Sequence, residues 1–286
     1  MRKLLLLSAL ICLTISSFAQ IEIEQSYTIE EYVNDILLGS GISASNISFT
    51  GSEVQIGFLT GGEGTIFPMD AGLVLSSEHA INLQQAGADG LPADDVIPAG
   101  EEVSGEPDLL TIANSVPPLI GESFSVSSVN DVAILEFDFI ATGDTMSFNY
   151  SFGSDEYLTW INTQYNDIFA FFLSGPGITG PYASPAGFPD GAMNIAQVPD
   201  TDPPLPITIS SVNPGSYAEY YIDNPFPNVD IDQNGFTTKL TAIANVICGE
   251  TYHIKLAIGD GSDTALESVV ILESGSFSSN SVEKLT

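Results

Sequence analysis

The sequence predicts an all-β fold: an antiparallel β-sandwich of jelly-roll type with one short N-terminal helix packed on it. Three observations lead there. Apolar and polar residues alternate over several short runs, two other runs are continuously apolar, and turn signals rich in Gly, Pro, Asn and Asp separate them. The helix comes first. Thr28-Ile29-Glu30-Glu31 forms a capping box, Tyr32, Val33, Ile36 and Leu37 follow at helical spacing, and Gly39 and Gly41 end it. In 132–139, Leu135, Phe137 and Phe139 alternate with Glu136 and Asp138, and in 146–152, Met146, Phe148, Tyr150 and Phe152 alternate with Ser147, Asn149 and Ser151. Each reads as a strand with one face in a core and one in water. Residues 252–258 repeat the pattern, with His253 and Lys255 outward and exposed. The unbroken runs 168–173 and 269–272 fit strands covered on both faces. Further strands are expected at 52–58, 72–76, 207–212, 217–223 and 235–242, with long connections at 86–108 and 175–206.

The first nineteen residues read as a signal peptide. Met1-Arg2-Lys3 is basic, Leu4 to Ile15 is apolar, and Ser17-Phe18-Ala19 before Gln20 is a cleavage site. The apolar stretch is shorter than the ~20 residues a membrane span needs. One domain is expected over 20–280, then a short tail, 281–286. Cys248 is the only cysteine beyond the leader and is expected buried, at a strand end.

Charge narrows function. Against 37 Asp and Glu there are 5 Lys and Arg, a formal net charge of -32, and two of the five, Arg2 and Lys3, fall in the leader. Nucleic acid and anionic membrane surfaces are excluded as partners, because both need cationic side chains to replace counterions. Disorder does not fit a chain that is 44% hydrophobic with 16 Phe and 10 Tyr. The acids must be solvated, hydrogen-bonded or neutralised by a cation.

No catalytic constellation is visible. Only His79 and His253 offer an imidazole, no Gly-x-Ser-x-Gly elbow surrounds a serine, and no phosphate loop or zinc spacing occurs. Calcium is the better-supported ligand. Asp230-Ile231-Asp232-Gln233-Asn234-Gly235 alternates oxygen-bearing side chains before a glycine, although the twelfth position, where a helix-loop-helix site carries Glu, is Thr241. The other reading is a polar Asn-Gly turn. A second acidic turn holds Asp260 and Asp263, with Glu267 just beyond. The candidate metal ligands are therefore Asp230, Asp232, Asn234, Asp260 and Asp263. Between 152 and 167 lie Asp155, Glu156, Tyr157, Trp160 and Asp167, which combine aromatic faces and carboxylates as a carbohydrate site does. Equally, Glu156 and Asp167 can bind loop backbone while Trp160 and Tyr165 close the end of the sandwich.

Three blocks carry a family resemblance: Leu135-Glu136-Phe137-Asp138-Phe139, Phe152-Gly153-Ser154-Asp155-Glu156-Tyr157, and Tyr165-Asn166-Asp167-Ile168-Phe169-Ala170-Phe171-Phe172-Leu173-Ser174-Gly175-Pro176. They resemble the choice-of-anchor L family of exported, β-rich bacterial surface proteins, found in Bacteroidota among others. The resemblance implies secretion or surface display and brings no catalytic or ligand residue with it. Relatives carry Gly-Ser-Gly-Cys where this chain has Gly39-Ser40-Gly41-Ile42, and a C-terminal sorting signal is expected beyond Thr286 or else release of the protein. The expected function is a secreted or cell-surface, non-catalytic interaction or structural module, adhesion-related and calcium-supported, with an extracellular glycan or surface protein as partner. A carbohydrate-binding module and a glycan-active hydrolase using paired carboxylates are the alternatives.

Overall fold

A computed structural model describes residues 21–84, 96–224 and 231–280. Among these, fourteen strands form two antiparallel open sheets, of nine and five strands. The larger runs β1 (Glu22–Glu24), β3 (Ile56–Thr60), β4 (Gly72–Ser76), β13 (Ser268–Glu273), β6 (Thr145–Ser154), β10 (Gly235–Thr237) and β9 (Tyr221–Asp223). Both β11 (Leu240–Asn245) and β14 (Ser278–Asn280) also pair with β6. The smaller runs β2 (Ala44–Thr50), β5 (Val129–Ile140), β12 (Thr251–Gly261), β7 (Ile168–Ser174) and β8 (Met193–Asn194). The order β4-β13-β6-β10 in one sheet and β5-β12-β7-β8 in the other is the double Greek key of a jelly roll.

The alternation sets what lies between the sheets. Leu135, Phe137 and Phe139 of β5 pair in register with Leu256, Ile254 and Tyr252 of β12, and all six are buried. From the opposite sheet Met146, Phe148, Tyr150 and Phe152 of β6 enter the same core. Phe277, just before β14, stacks on Phe148 at 5.3 Å and meets the edges of Phe137 and Phe139 at 5.3 and 5.1 Å. One ring thus joins the two layers.

The unbroken apolar strands are covered on both faces, as their sequence requires. Val269 and Ile271 of β13 turn away from the central core into a second cluster with Val74, Phe67, Ile231 and Phe236. On the far side, Ile168, Ala170 and Phe172 of β7 lie under Leu109, Ile112 and Ala113 of an α-helix, α2 (Pro107–Ile120). That helix departs from the expected succession of strands. Glu106 caps it by accepting from the Leu109 N–H at 2.6 Å, Pro107 opens it, and Gly121 ends it in the left-handed region at φ 80°. Its apolar residues hold helical spacing, but Pro117 and Pro118 in the last turn mask the period.

Other local differences have simple causes. The N-terminal capping box forms, with Glu31 N–H donating to Thr28 Oγ1 and Thr28 N–H to Glu31 Oε2, but after α1 (Ile29–Glu31) the coil widens into the π-helix Tyr32–Leu37. Residues 207–212 are buried turns rather than a strand, because the Ser211 hydroxyl binds the Pro206 carbonyl and the Thr208 N–H locally. Residues 217–223 give only β9 after a 3-10 turn, and 235–242 divides into β10 and β11.

Cys248, expected buried, is exposed: Val246 takes the inward position, and the thiol lies in the turn beyond it, 3.4 Å from the Thr142 carbonyl. His253, expected exposed, is only 8% exposed. It stands between Glu136 and Asp138 of β5, neither of which is simply solvated, with Nδ1 2.8 Å from Asp138 Oδ1, Nε2 3.3 Å from Glu136 Oε1 and the Phe188 ring alongside. Lys255 likewise bridges Glu106 at 2.9 Å and Asp108 at 3.5 Å beneath α2.

Two outcomes follow. Phe277→Ala should lower unfolding free energy by about 3–5 kcal/mol in urea titration, the loss of a fully buried ring and the void it leaves. For His253, burial pulls its pKa down, but hydrogen bonds to Glu136 and Asp138 outweigh this and raise it above 6.5. Its raised value means the stability it adds is complete below the ordinary imidazole pKa and is lost as pH rises through the folded one. An NMR titration should place its midpoint above about 6.5, and Asp138→Asn should bring it down.

Candidate functional site

The jelly roll brings several strand ends together at one edge of both sheets. Ser154 closes β6 opposite Ser268, which opens β13, and Ser76 closes β4 opposite Val269. Across the sandwich, Asp167 immediately precedes β7, whose Ile168 pairs with Gly259, and Asp260 near the end of β12 pairs with Asn130. Four carboxylates are sealed into this end: Glu156 is 1% exposed, Asp167 and Asp260 0%, and Glu267 3%.

Serines hold part of this charge. The Ser268 hydroxyl donates to Asp167 Oδ2 at 2.7 Å and the Gly261 N–H to Asp167 Oδ1 at 2.9 Å, while the Ser76 hydroxyl donates to Glu267 Oε1 at 2.5 Å. The approach of β12 to Asp167 demands glycine, because a Cβ at Gly261 would stand 2.7 Å from the Asn166 carbonyl oxygen. Many acceptors stay unclaimed. Glu156 Oε2, Glu267 Oε2, Asp263 Oδ1 and both side-chain polar atoms of buried Asn166 have no hydrogen-bond partner. Neither oxygen of Asp260 has a well-formed bond, although the Ser77 hydroxyl lies near enough to favour its charge.

Among the described residues the ion pairs of Lys and His lie with other acids. Lys239 pairs with Glu273, Lys255 with Glu106 and Asp108, and His253 with Glu136 and Asp138. Burial therefore raises the pKa of each buried acid. For Glu156 and Asp260 the neighbouring Asp167 adds to the effect, and for Asp167 and Glu267 hydrogen bonds only partly oppose it. Burial also raises half-buried Asp263 and, with Glu102 beside it, Asp131.

The residues singled out in sequence fall in different places. Of the patch at 155–167, Glu156 and Asp167 join the buried cluster, and Asp155 lies beside it, its N–H donating to the Glu267 carbonyl at 3.0 Å. Tyr157 is buried, its hydroxyl donating to the Val212 carbonyl at 2.8 Å, so its ring packs in the core. Trp160, 36% exposed, meets Tyr165 edge to face at 5.1 Å. Of the two acidic turns, Asp260 sits within β12 beside a bulge and Asp263 in the turn after it. Asp230 lies outside the described residues. Asp232 and Asn234 are exposed at the entry to β10, where the Asn234 amide donates to the Asp155 carbonyl at 2.5 Å, so this turn borders the cluster. Sequence reasoning missed Asn166 and Asp131. The available signal was position: polar Asn166 and Asp167 abut a continuously apolar strand and share its burial.

The family model for the choice-of-anchor L domain matches residues 20–278, nearly the whole chain. The chain belongs to the choice-of-anchor L domain family. Membership points to a surface-associated, non-enzymatic module. No curated protein and no solved structure matches this choice-of-anchor L chain. Among the described residues no helix is long and apolar enough to cross a membrane.

The raised carboxyls set a pH dependence of unusual sign. Glu156, Asp167 and Asp260 hold protons in the fold above their ordinary values of 4.5, 3.8 and 3.8, so the native state binds more protons than the unfolded chain there. In metal-free buffer the urea midpoint should fall as pH rises from about 5 to about 8, and Glu156→Gln should raise the midpoint at the alkaline end. A midpoint that climbs over that range would contradict the buried charge.

Proposed function

We propose that this domain is a non-catalytic interaction or structural module acting outside the cell, in adhesion or surface architecture, with calcium as its supporting ion. The observation that carries this reading is the burial of the acids. A glycosidase must set two carboxyl groups on either side of a scissile bond, and Glu156 and Asp167, at 1% and 0% exposure, are buried out of reach of a polymer. Of the two imidazoles that a nucleophilic mechanism could draw on, His253 is clamped by two acids beside Phe188, and His79 accepts from the Ile81 N–H at 3.4 Å. Family membership and an acidic, base-poor chain support an exported role, with an extracellular glycan or surface protein as partner.

Carbohydrate binding is the second reading, and one surface favours it. Exposed Leu158 lines a cleft of about 440 Å³ together with Ile161, Asn162, Glu122 and Ser210, and exposed Trp160 immediately precedes Ile161 in the chain. Aromatic faces beside amide and carboxylate groups are what sugars pack on.

Incubation with a polysaccharide panel should release no reducing ends above background. Turnover lost on Glu156→Gln would replace this reading with a hydrolase. On a glycan array, binding that Trp160→Ala weakens about tenfold or more would favour the carbohydrate module, whereas retention on cell-surface protein with Trp160→Ala unaffected supports the first reading.

A further inference from the structure

The calcium-supported reading leaves open where an ion would sit, and the strand-end cluster offers a place that neither acidic turn alone defines. Asp167 and Asp263 both raise the pKa of Glu156, Asp263 also raises that of Asp167, and the three come from two connections: Glu156 and Asp167 from the two ends of the β6–β7 loop and Asp263 from the turn after β12. Asn166 stands beside Asp167 with no exposure and no partner for either side-chain polar atom, so its amide offers an oxygen in whichever orientation it takes. Glu156 Oε2 and Asp263 Oδ1 are unclaimed as well. Asp167 spends one lone pair on each oxygen, to Gly261 and Ser268, and keeps another on each. Natural folds leave few buried polar atoms unsatisfied, and several at one point call for a missing partner.

We propose that Glu156, Asp167, Asp263 and the amide oxygen of Asn166 bind one calcium ion between the ends of the two sheets. The ligand set selects the ion. Every donor is oxygen, with no imidazole or thiolate among them, which disfavours zinc and copper. Donors from two separate loops suit the six- to eight-fold, adaptable shell of Ca²⁺ better than the strict octahedron of Mg²⁺. Among the described residues no three His, Cys, Asp or Glu side chains already stand in ligating array. The ion therefore completes its shell with amide or backbone oxygens and draws half-buried Asp263 inward onto the sealed pair. Asp260, whose own charge Asp167 disfavours, adds to the same field.

Titration of the full-length mature protein with CaCl₂ by calorimetry, with thermal melts in CaCl₂ and in EDTA, tests this. One ion per chain should bind, and melting should rise by about 5 °C or more at ~100-fold excess over Kd. Glu156→Gln and Asp263→Asn should each weaken binding about tenfold or more. Asp232→Asn, in the neighbouring turn, should leave it unchanged. Half-exposed Asp263 decides the matter if the Glu156 variant fails to fold. No heat and no melting shift in the wild type, unchanged affinity in Asp263→Asn, or loss of binding in Asp232→Asn alone would each overturn the assignment. Calcium bound here with no surface partner found leaves the site standing and removes the adhesion reading. Surface binding indifferent to EDTA, with no calcium bound, does the reverse.

Discussion

Four carboxylates buried at one end of a sandwich, with no ion pair to a basic side chain among the described residues, form the constraint on which the rest of this structure depends. A buried ion without compensation costs several kcal/mol, and a group so placed takes up a proton or finds a cation. The surrounding sequence is arranged around that need. Serine ends β4 and β6 and opens β13, and two of these hydroxyls donate to Glu267 and Asp167 while Ser154 receives the Glu156 N–H. Gly261 gives β12 the close approach that lets its N–H reach Asp167. These features stabilise the cluster without neutralising it, and a calcium ion is the partner its oxygen chemistry fits.

The remainder of the fold supplies a stiff frame for those strand ends. Phe277 ties β5 to β6 through three rings, and further aromatic contacts among Phe148, Tyr150, Phe169 and Phe171 continue across the inter-sheet layer. Both outer faces are covered where the strands are apolar throughout. Two basic groups serve two acids each: Lys255 joins the helix cap Glu106 and Asp108 to β12, with its ammonium 4.4 Å from the Phe172 ring centroid, and His253 joins Glu136 to Asp138. These two groups hold α2 and β5 to β12.

Periodicity made most of the sandwich legible. Leu135-Phe137-Phe139 and Met146-Phe148-Tyr150-Phe152 declared their inward faces, and the unbroken runs in β7 and β13 declared cover on both sides. What covers them was not legible, since α2 ends in two prolines. Nor was the fate of Glu136 and Asp138, because alternation says which side a residue faces and not whether another element lies over that side. The candidate site was half legible. Asp260, Asp263, Glu156 and Asp167 stood out as acids near glycine and aromatic residues, but in two separate groups. Only the jelly-roll connection, which sets β6, β7 and β12 ends side by side, joins them. Cys248 misled for a related reason: Val246, two residues earlier, already fills the inward position at the end of β11.

A crystal structure of the mature protein grown from CaCl₂ at neutral pH is the most direct measurement of the central claim. The account predicts an ion coordinated by oxygens of Glu156, Asp167, Asp263 and Asn166 at 2.3–2.6 Å, the range usual for Ca²⁺. A cluster with no ion, its carboxyl groups paired through shared protons and its geometry unchanged from a calcium-free crystal, would contradict it.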